Sequence, residues 1–278
     1  MYKIVIDSCG ELTPDMKASG VYESVPLSIL VDDKTIVDDE TFDQAKFLEM
    51  VAASPNCPKS SCPSPEQYMD AYKGAEERVY VVTLSAELSG SHNSAVLARD
   101  LYMEEYGDKQ IHVFDSFSAS IAQTLIGMKI AEFESQGLSF EEVVQGVDAY
   151  IADQTTYFVL DSLEALRKNG RLTGLKALLV TALNIKPVMG ATDKGVICQH
   201  GQARGIKKAL AKMVEQVADE IKDSENKILG IAHCNCRERA EEVKKMIEEK
   251  MKLKKILITE TRGISTLYAS NGGIIVNV

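Results

Sequence analysis

The chain has 278 residues, 45% of them hydrophobic and 26% charged, with a formal net charge of −10. That is the balance of a soluble globular protein with room for two domains at roughly 100–200 residues each, and the negative charge excludes a general nucleic-acid binder or a protein that adheres to an anionic membrane surface. No apolar run approaches the ~20 residues of a membrane span, and six cysteines behind an amino terminus without signal-like character point to a reducing, cytoplasmic setting.

Lys3 to Ile6 reads as an apolar strand ending in Asp7-Ser8, and Thr13-Pro14 as a capped helix start. Val25 to Val31 reads as a second strand, closed by the turn Asp32-Asp33-Lys34. The acidic run Asp38-Asp39-Glu40-Thr41 is expected to be the solvated start of a helix through Phe47 and Val51. Four of the seven prolines fall within 55–65, where they restrict the backbone around Ser60 and Ser61 ahead of a helix over 66–74.

Val79 to Val82 is β-branched and aromatic, whereas Ala95 to Ala98 has helix-forming character, so Thr83 to Ser94 is a hydroxyl-rich turn between a strand and a helix. In an open α/β sheet such a turn lies at the carboxyl end of a strand. There a helix amino terminus leaves N–H groups free and favours negative charge. Several hydroxyls, a single glycine and no Lys or Arg suit a carboxylate better than a polyphosphate. The plainer alternative is that Ser85 or Ser89 caps the next helix. Ile111 to Phe114 is a further core strand, which again runs into hydroxyls at Asp115 to Ser120. Two helices, over 121–134 and through Val143, Val147 and Ile151, complete the first half.

A second domain is expected beyond a linker near Gln154, giving domains at 1–155 and 156–278. Tyr157 to Leu160 opens it as a strand, and a short helix ends at Gly170 with Arg171 just beyond. The greasy stretch 172–185 reads as a buried or amphipathic helix. Ile185 to Met189 is a strand, Asp193-Lys194-Gly195 a turn, and Gly205 precedes a long amphipathic helix. A strand at 228–232, a Glu- and Lys-rich helix at 237–250 and a strand at 256–258 follow. The chain closes with a turn-rich loop over 262–273 and a last strand. Alternation of this kind predicts an α/β fold: an N-terminal parallel-sheet domain and a smaller C-terminal α/β domain.

His233-Cys234-Asn235-Cys236 is the tightest cluster of metal-ligating types, but it lacks the two-residue gap of a zinc knuckle and a matching second pair. Neither a G-x-S-x-G elbow, a Walker lysine loop nor a G-x-G-x-x-G fingerprint is present. No metal and no cofactor is therefore expected, and no familiar catalytic route is supported.

The order of the pieces resembles the DegV family of fatty-acid-binding proteins over nearly the whole chain. Asp7-Ser8 matches its opening motif, and Ser60-Ser61-Cys62-Pro63-Ser64 is similar to its T-S-Q-P-S loop. Leu84 to Ala95 resembles its L-S-S-G-L-S-G-T-Y-x-S-A segment, Asp115-Ser116 its next strand end, and Leu163 to Thr173 its L-x-x-L-x-K-x-G-R-I stretch. Ile185-Lys186-Pro187 and Arg204-Gly205 also fit. Each match is weak alone; together and in order they are specific.

The resemblance implies two α/β domains enclosing a long-chain fatty acid such as palmitate, with no reaction of the chain's own. The carboxylate would rest on hydroxyls of the Ser60-Ser61 loop and the Ser85 to Ser89 turn, and a fatty-acid kinase subunit is the implied partner. Arg171 is a candidate counter-charge at the mouth, against the alternative of a surface arginine near a helix end. Tyr268 stands where the family commonly has the histidine of H-T-G-P-G. It keeps a hydrogen-bond donor but not the histidine's charge chemistry. The competing reading is a transferase-type enzyme acting on a small carboxylate or hydroxylated metabolite, with Asp7, Asp115 and the serines lining its site.

Overall fold

The computed structural model describes residues 1–172 and 184–278. Strands β1 (Tyr2–Asp7), β2 (Tyr22–Val25), β6 (Arg78–Thr83) and β7 (Gln110–Asp115) form a parallel sheet in the order β2-β1-β6-β7. Ile4, Ile6, Tyr80 and Val82 pack beneath helices α5 (Ile121–Ser135) and α6 (Phe140–Ala152). Val5, Val79 and Val81 face α3 (Pro65–Tyr72) and α4 (Ser91–Tyr106). Successive strand residues point to opposite faces, so a sheet covered on both sides needs continuous apolar strands, and that is why these runs do not alternate.

The single strand expected from Val25 to Val31 is two. Pro26 has no N–H for the ladder, and beyond it β3 (Ser28–Val31) joins a separate antiparallel sheet with β4 (Lys34–Val37) and β5 (Lys59–Ser61), ordered β4-β3-β5. Helix α1 (Pro14–Ser19) starts as read, with the Thr13 hydroxyl accepting the Met16 N–H, and α2 (Gln44–Ala53) follows β4.

The second half holds a mixed sheet of β8 (Thr156–Val159), β9 (Ile185–Ala191), β10 (Ile197–Arg204), β11 (Ile228–His233), β12 (Lys255–Glu260) and β13 (Ile274–Asn277), in the order β10-β9-β8-β13-β11-β12. Tyr157 and Val159 of β8 pack with α8 (Ile206–Glu220) and α9 (Arg237–Lys250). Phe158, and Leu160 just past the strand, belong to a second cluster on the opposite face, together with Leu166 of α7 (Glu164–Lys168). The helix expected over 172–185 lies almost wholly outside the described residues.

Two expectations are corrected here. Residues 262–273 do not form an open loop, because α10 (Gly263–Ala269) occupies most of them. Nor is Asp38 solvated. It is buried, and its carboxylate accepts the Gly263 and Ile264 N–H groups, both at 2.8 Å, so it holds the amino end of a helix 225 positions away. No local pattern carries that pairing.

Helix α5 joins the two sheets. Ile126 and Ile130 pack on the parallel sheet, while Ile121 and Leu125 press against Gly230 of β11, where an added Cβ would run into Ile121 Cγ1. A helix with apolar residues on all sides is one with neighbours on all sides.

Candidate functional site

Asp7 is the knot of the site's scaffold. Fully buried at the end of β1, its carboxylate accepts the Cys9 and Leu84 N–H groups, the Ser91 hydroxyl and Gln123 Nε2 at 2.7 to 3.2 Å. Leu84 and Ser91 bracket the hydroxyl-rich turn, so one carboxylate fixes both of its ends. Burial pushes the Asp7 carboxyl above its ordinary range, and the four donors oppose that shift. Asp115 is similarly engaged by the Ala86 and Phe117 N–H groups. Neither aspartate lines the cavity described below, which removes the structural basis for assigning them catalytic work there.

Gly90 holds the N-cap position of α4; Ser85 gives no bond to that helix, whereas Ser89 serves its first N–H. Ser89 Oγ accepts the Ser91 N–H at 3.2 Å and keeps its proton free among the described residues. Ser85 is buried, donates to the Gly195 carbonyl at 2.9 Å and accepts the Glu87 N–H at 3.2 Å.

Arg171 is placed by a Schellman turn at the end of α7. Gly170 takes φ +74°, the Arg171 N–H reaches the Leu166 carbonyl at 2.8 Å and the Gly170 N–H the Arg167 carbonyl at 3.1 Å. The guanidinium then donates from Nε to the Leu88 carbonyl at 3.1 Å and from Nη1 to the Asn169 carbonyl. It also stands over the Tyr268 ring, 5.8 Å from the centroid. Asn169 ties this turn to the first half through Nδ2, which donates to the Pro58 carbonyl at 2.9 Å and the Ala165 carbonyl at 3.0 Å.

On the facing side α10 presents Tyr268, whose hydroxyl lies 2.8 Å from Ser60 Oγ. Burial raises the tyrosine's pKa, against smaller opposing effects of Ser60 and Arg171, so it stays a neutral donor at ordinary pH.

Ser60, Ser89, Arg171 and Tyr268 border one cavity of about 100 Å³ between the two large sheets. Its walls are mainly apolar, with Leu27, Leu84 and Ile264 from one cluster and Phe158, Leu160 and Ile197 from another. The wall thus joins apolar side chains of both halves of the chain around one small space. Ser61 and Ser85 do not border it. Ser61 is exposed because it follows Ser60 on a strand and points to the other face, and Ser85 is turned toward Gly195.

Sequence reading missed the deeper polar lining: Ser118, Ser120, Thr156 and Ser265. The hydroxyl run Asp115 to Ser120 was the available signal for the first two; Ser265 lay in a stretch read as loop. Ser120 donates to the Glu11 carboxylate at 2.9 and 3.0 Å, and Ser265 to the Cys9 carbonyl at 2.8 Å. Burial lifts Glu11 to about 7, the nearby Ser265 and Ser120 hydroxyls opposing the shift. A wider, open cleft of about 1100 Å³ runs between α1 and β12, but none of the six candidate residues borders it.

In the His233 to Cys236 segment, His233 Nδ1 accepts the Cys236 N–H. Among the described residues no group of three or more His, Cys, Asp or Glu is placed to hold a metal ion, and no helix is long and apolar enough to cross a membrane.

A family model described as "Uncharacterised protein, DegV family" matches residues 1–276. A DegV domain-containing protein of Streptococcus pneumoniae is 36% identical over 276 residues, which is 99% of this chain and 97% of that protein. Among solved structures, a DegV-family protein from Ruminococcus gnavus with vaccenic acid superposes with a TM-score of 0.98 at 56% identity, covering 100% of this chain and 99% of that one. The Streptococcus pneumoniae Fatty Acid Kinase B3 protein loaded with linoleic acid gives 0.89 at 34% identity, covering 100% and 98%.

Proposed function

Because the chain belongs to the DegV family, we propose that it binds one long-chain fatty acid in the cavity between its sheets, within lobes at 1–155 and 156–278. The observation that carries this reading is the distribution of uncommitted polar groups at one end of an apolar slot. There, among the described residues, Ser89 has a free hydroxyl proton, the Ser60–Tyr268 pair has one more proton than its mutual bond uses, and Arg171 has N–H groups beyond those given to backbone carbonyls.

Such a set matches a single carboxylate. Burial contributes about 0.8 kcal/mol per methylene, so a tail of about sixteen carbons gains on the order of 10 kcal/mol before costs. Each hydroxyl adds only about 1 kcal/mol. The tail supplies the affinity, while the head group is satisfied without being gripped. That division suits a carrier with no reaction of its own, which offers the carboxylate to a kinase subunit for phosphorylation. Support comes from the relatives, one solved with vaccenic acid and one named Fatty Acid Kinase B3 protein and loaded with linoleic acid. Six unpaired cysteines agree with work in the cytoplasm.

Mass spectrometry of lipid extracted from the purified protein tests the reading. One long-chain acid per chain is expected; a protein that neither copurifies with nor takes up such acids contradicts it.

A further inference from the structure

Resting on that reading, we infer that the cavity selects long-chain acids carrying a hydroxyl group partway along the chain, which Ser118 and Thr156 receive. Thr156, Phe158 and Leu160 alternate along β8 and its end and all face the cavity. Leu160 Cδ2 and the carbonyl of Ala269, the residue after Tyr268 on α10, both crowd Gly273, which places the head-group end beside Leu160. At about 3.3 Å per residue Thr156 lies ~13 Å further down the slot, roughly ten carbons along an extended acyl chain.

Ser118 Oγ and Thr156 Oγ1 are 2.7 Å apart, and Thr156 Oγ1 also accepts Asn277 Nδ2 at 2.9 Å. Whichever hydroxyl donates to the other, one O–H proton is left without an acceptor among the described residues. This separates the pair from Ser120 and Ser265, whose protons go to Glu11 and to the Cys9 carbonyl. Behind Thr156, Asn277 is fully buried with Oδ1 lacking a donor, so the relay is short of partners at both ends.

Against plain methylenes the spare proton meets nothing, which is a cost in an apolar wall. A ligand hydroxyl answers it twice, by accepting that proton and by donating its own to a free lone pair of the same two oxygens. An alkene offers only a weak acceptor.

The test uses full-length delipidated protein and an equimolar mixture of three acids: octadecanoic acid, a hydroxyoctadecanoic acid substituted about ten carbons from the carboxylate, and its alpha-hydroxy isomer. Retained lipid is quantified by mass spectrometry. The mid-chain hydroxy acid should be retained roughly fivefold over octadecanoic acid, and the alpha-hydroxy isomer should show no such gain. Ser118→Ala combined with Thr156→Val should erase the ratio, while Thr156→Ser alone, which keeps the oxygen, should preserve it. A purely structural role for the pair leaves the ratio unmoved by substitution, and that result overturns the inference. Retention of octadecanoic acid without preference overturns the inference alone; retention of no acid at all overturns the fatty-acid reading with it.

Discussion

The hydroxyl of Tyr268 on α10 lies 2.8 Å from that of Ser60 on β5, closing a contact between residues 208 positions apart. Each partner is oriented by a different buried device. Asp38 holds the amino end of α10, and the pairing of β5 with β3 sets Ser60 opposite Ile29. A hydrogen-bonding rim is thereby assembled from segments with no local relation to one another.

Removing single rim hydroxyls should weaken binding without unfolding the protein. Tyr268→Phe and Ser89→Ala are each expected to cost about 1 kcal/mol, near fivefold in affinity, in a titration with a fluorescent fatty acid. Ser61→Ala should leave the affinity unchanged, because that hydroxyl is on the outer face of β5. A large loss in Ser61→Ala would place the carboxylate elsewhere.

Asn169→Ala should behave as a positioning change. Nδ2 fastens the arginine-bearing turn to the Pro58 carbonyl, and Pro58 directly precedes β5. Its removal is expected to lower fatty-acid affinity severalfold while Arg171 and Ser60 remain present. Isothermal titration compared with a urea melt separates this from general destabilisation.

The stability contributed by Glu11 and Asp38 should fall as pH rises from about 4.5 to about 7. Glu11 is raised from 4.5 to about 7, chiefly by burial, and Asp38 from 3.8 to about 6 for the same leading reason. A carboxyl with a raised folded-state pKa binds more protons folded than unfolded within that window. Its contribution is therefore fully present at low pH and is lost as pH climbs through the folded value. Glu11→Gln should flatten the profile and raise the urea midpoint at pH 8. A midpoint that drops at pH 8 in this variant would mean that the ionised carboxylate is the stabilising form.

Gly230→Val should destabilise by roughly 1–3 kcal/mol or more, since its side chain would strike Ile121 where α5 meets β11. Adding Ile121→Ala is expected to recover part of the loss, measured as a coupling between the two changes in urea unfolding.

Much of this site was legible because its parts sit where strands end. The runs Lys3 to Ile6 and Val79 to Val82 announce a doubly covered parallel sheet, and the hydroxyl turn after Thr83 follows from strand–turn–helix order. Gly170 announces the turn that aims Arg171, because a glycine after a short helix is the usual left-handed stop. What stayed hidden depends on distant partners. Asp38 looks like a solvated acid until Gly263 is beside it, and Ser85 resembles Ser89 until Gly195 takes its proton. Helix α10 is masked by β-branched Ile264 and Thr266, whose weak propensity is overridden by that cap and by burial.

The most direct measurement is a crystal structure of the protein with a bound long-chain acid. The expected result has the carboxylate within hydrogen-bonding distance of Ser89 and the Ser60–Tyr268 pair, Arg171 at its flank, and the tail running past Leu160 and Phe158 toward Thr156. An acid bound in the opposite sense, or in the wide cleft beside β12, would contradict the assignment of the head-group end and of the slot itself.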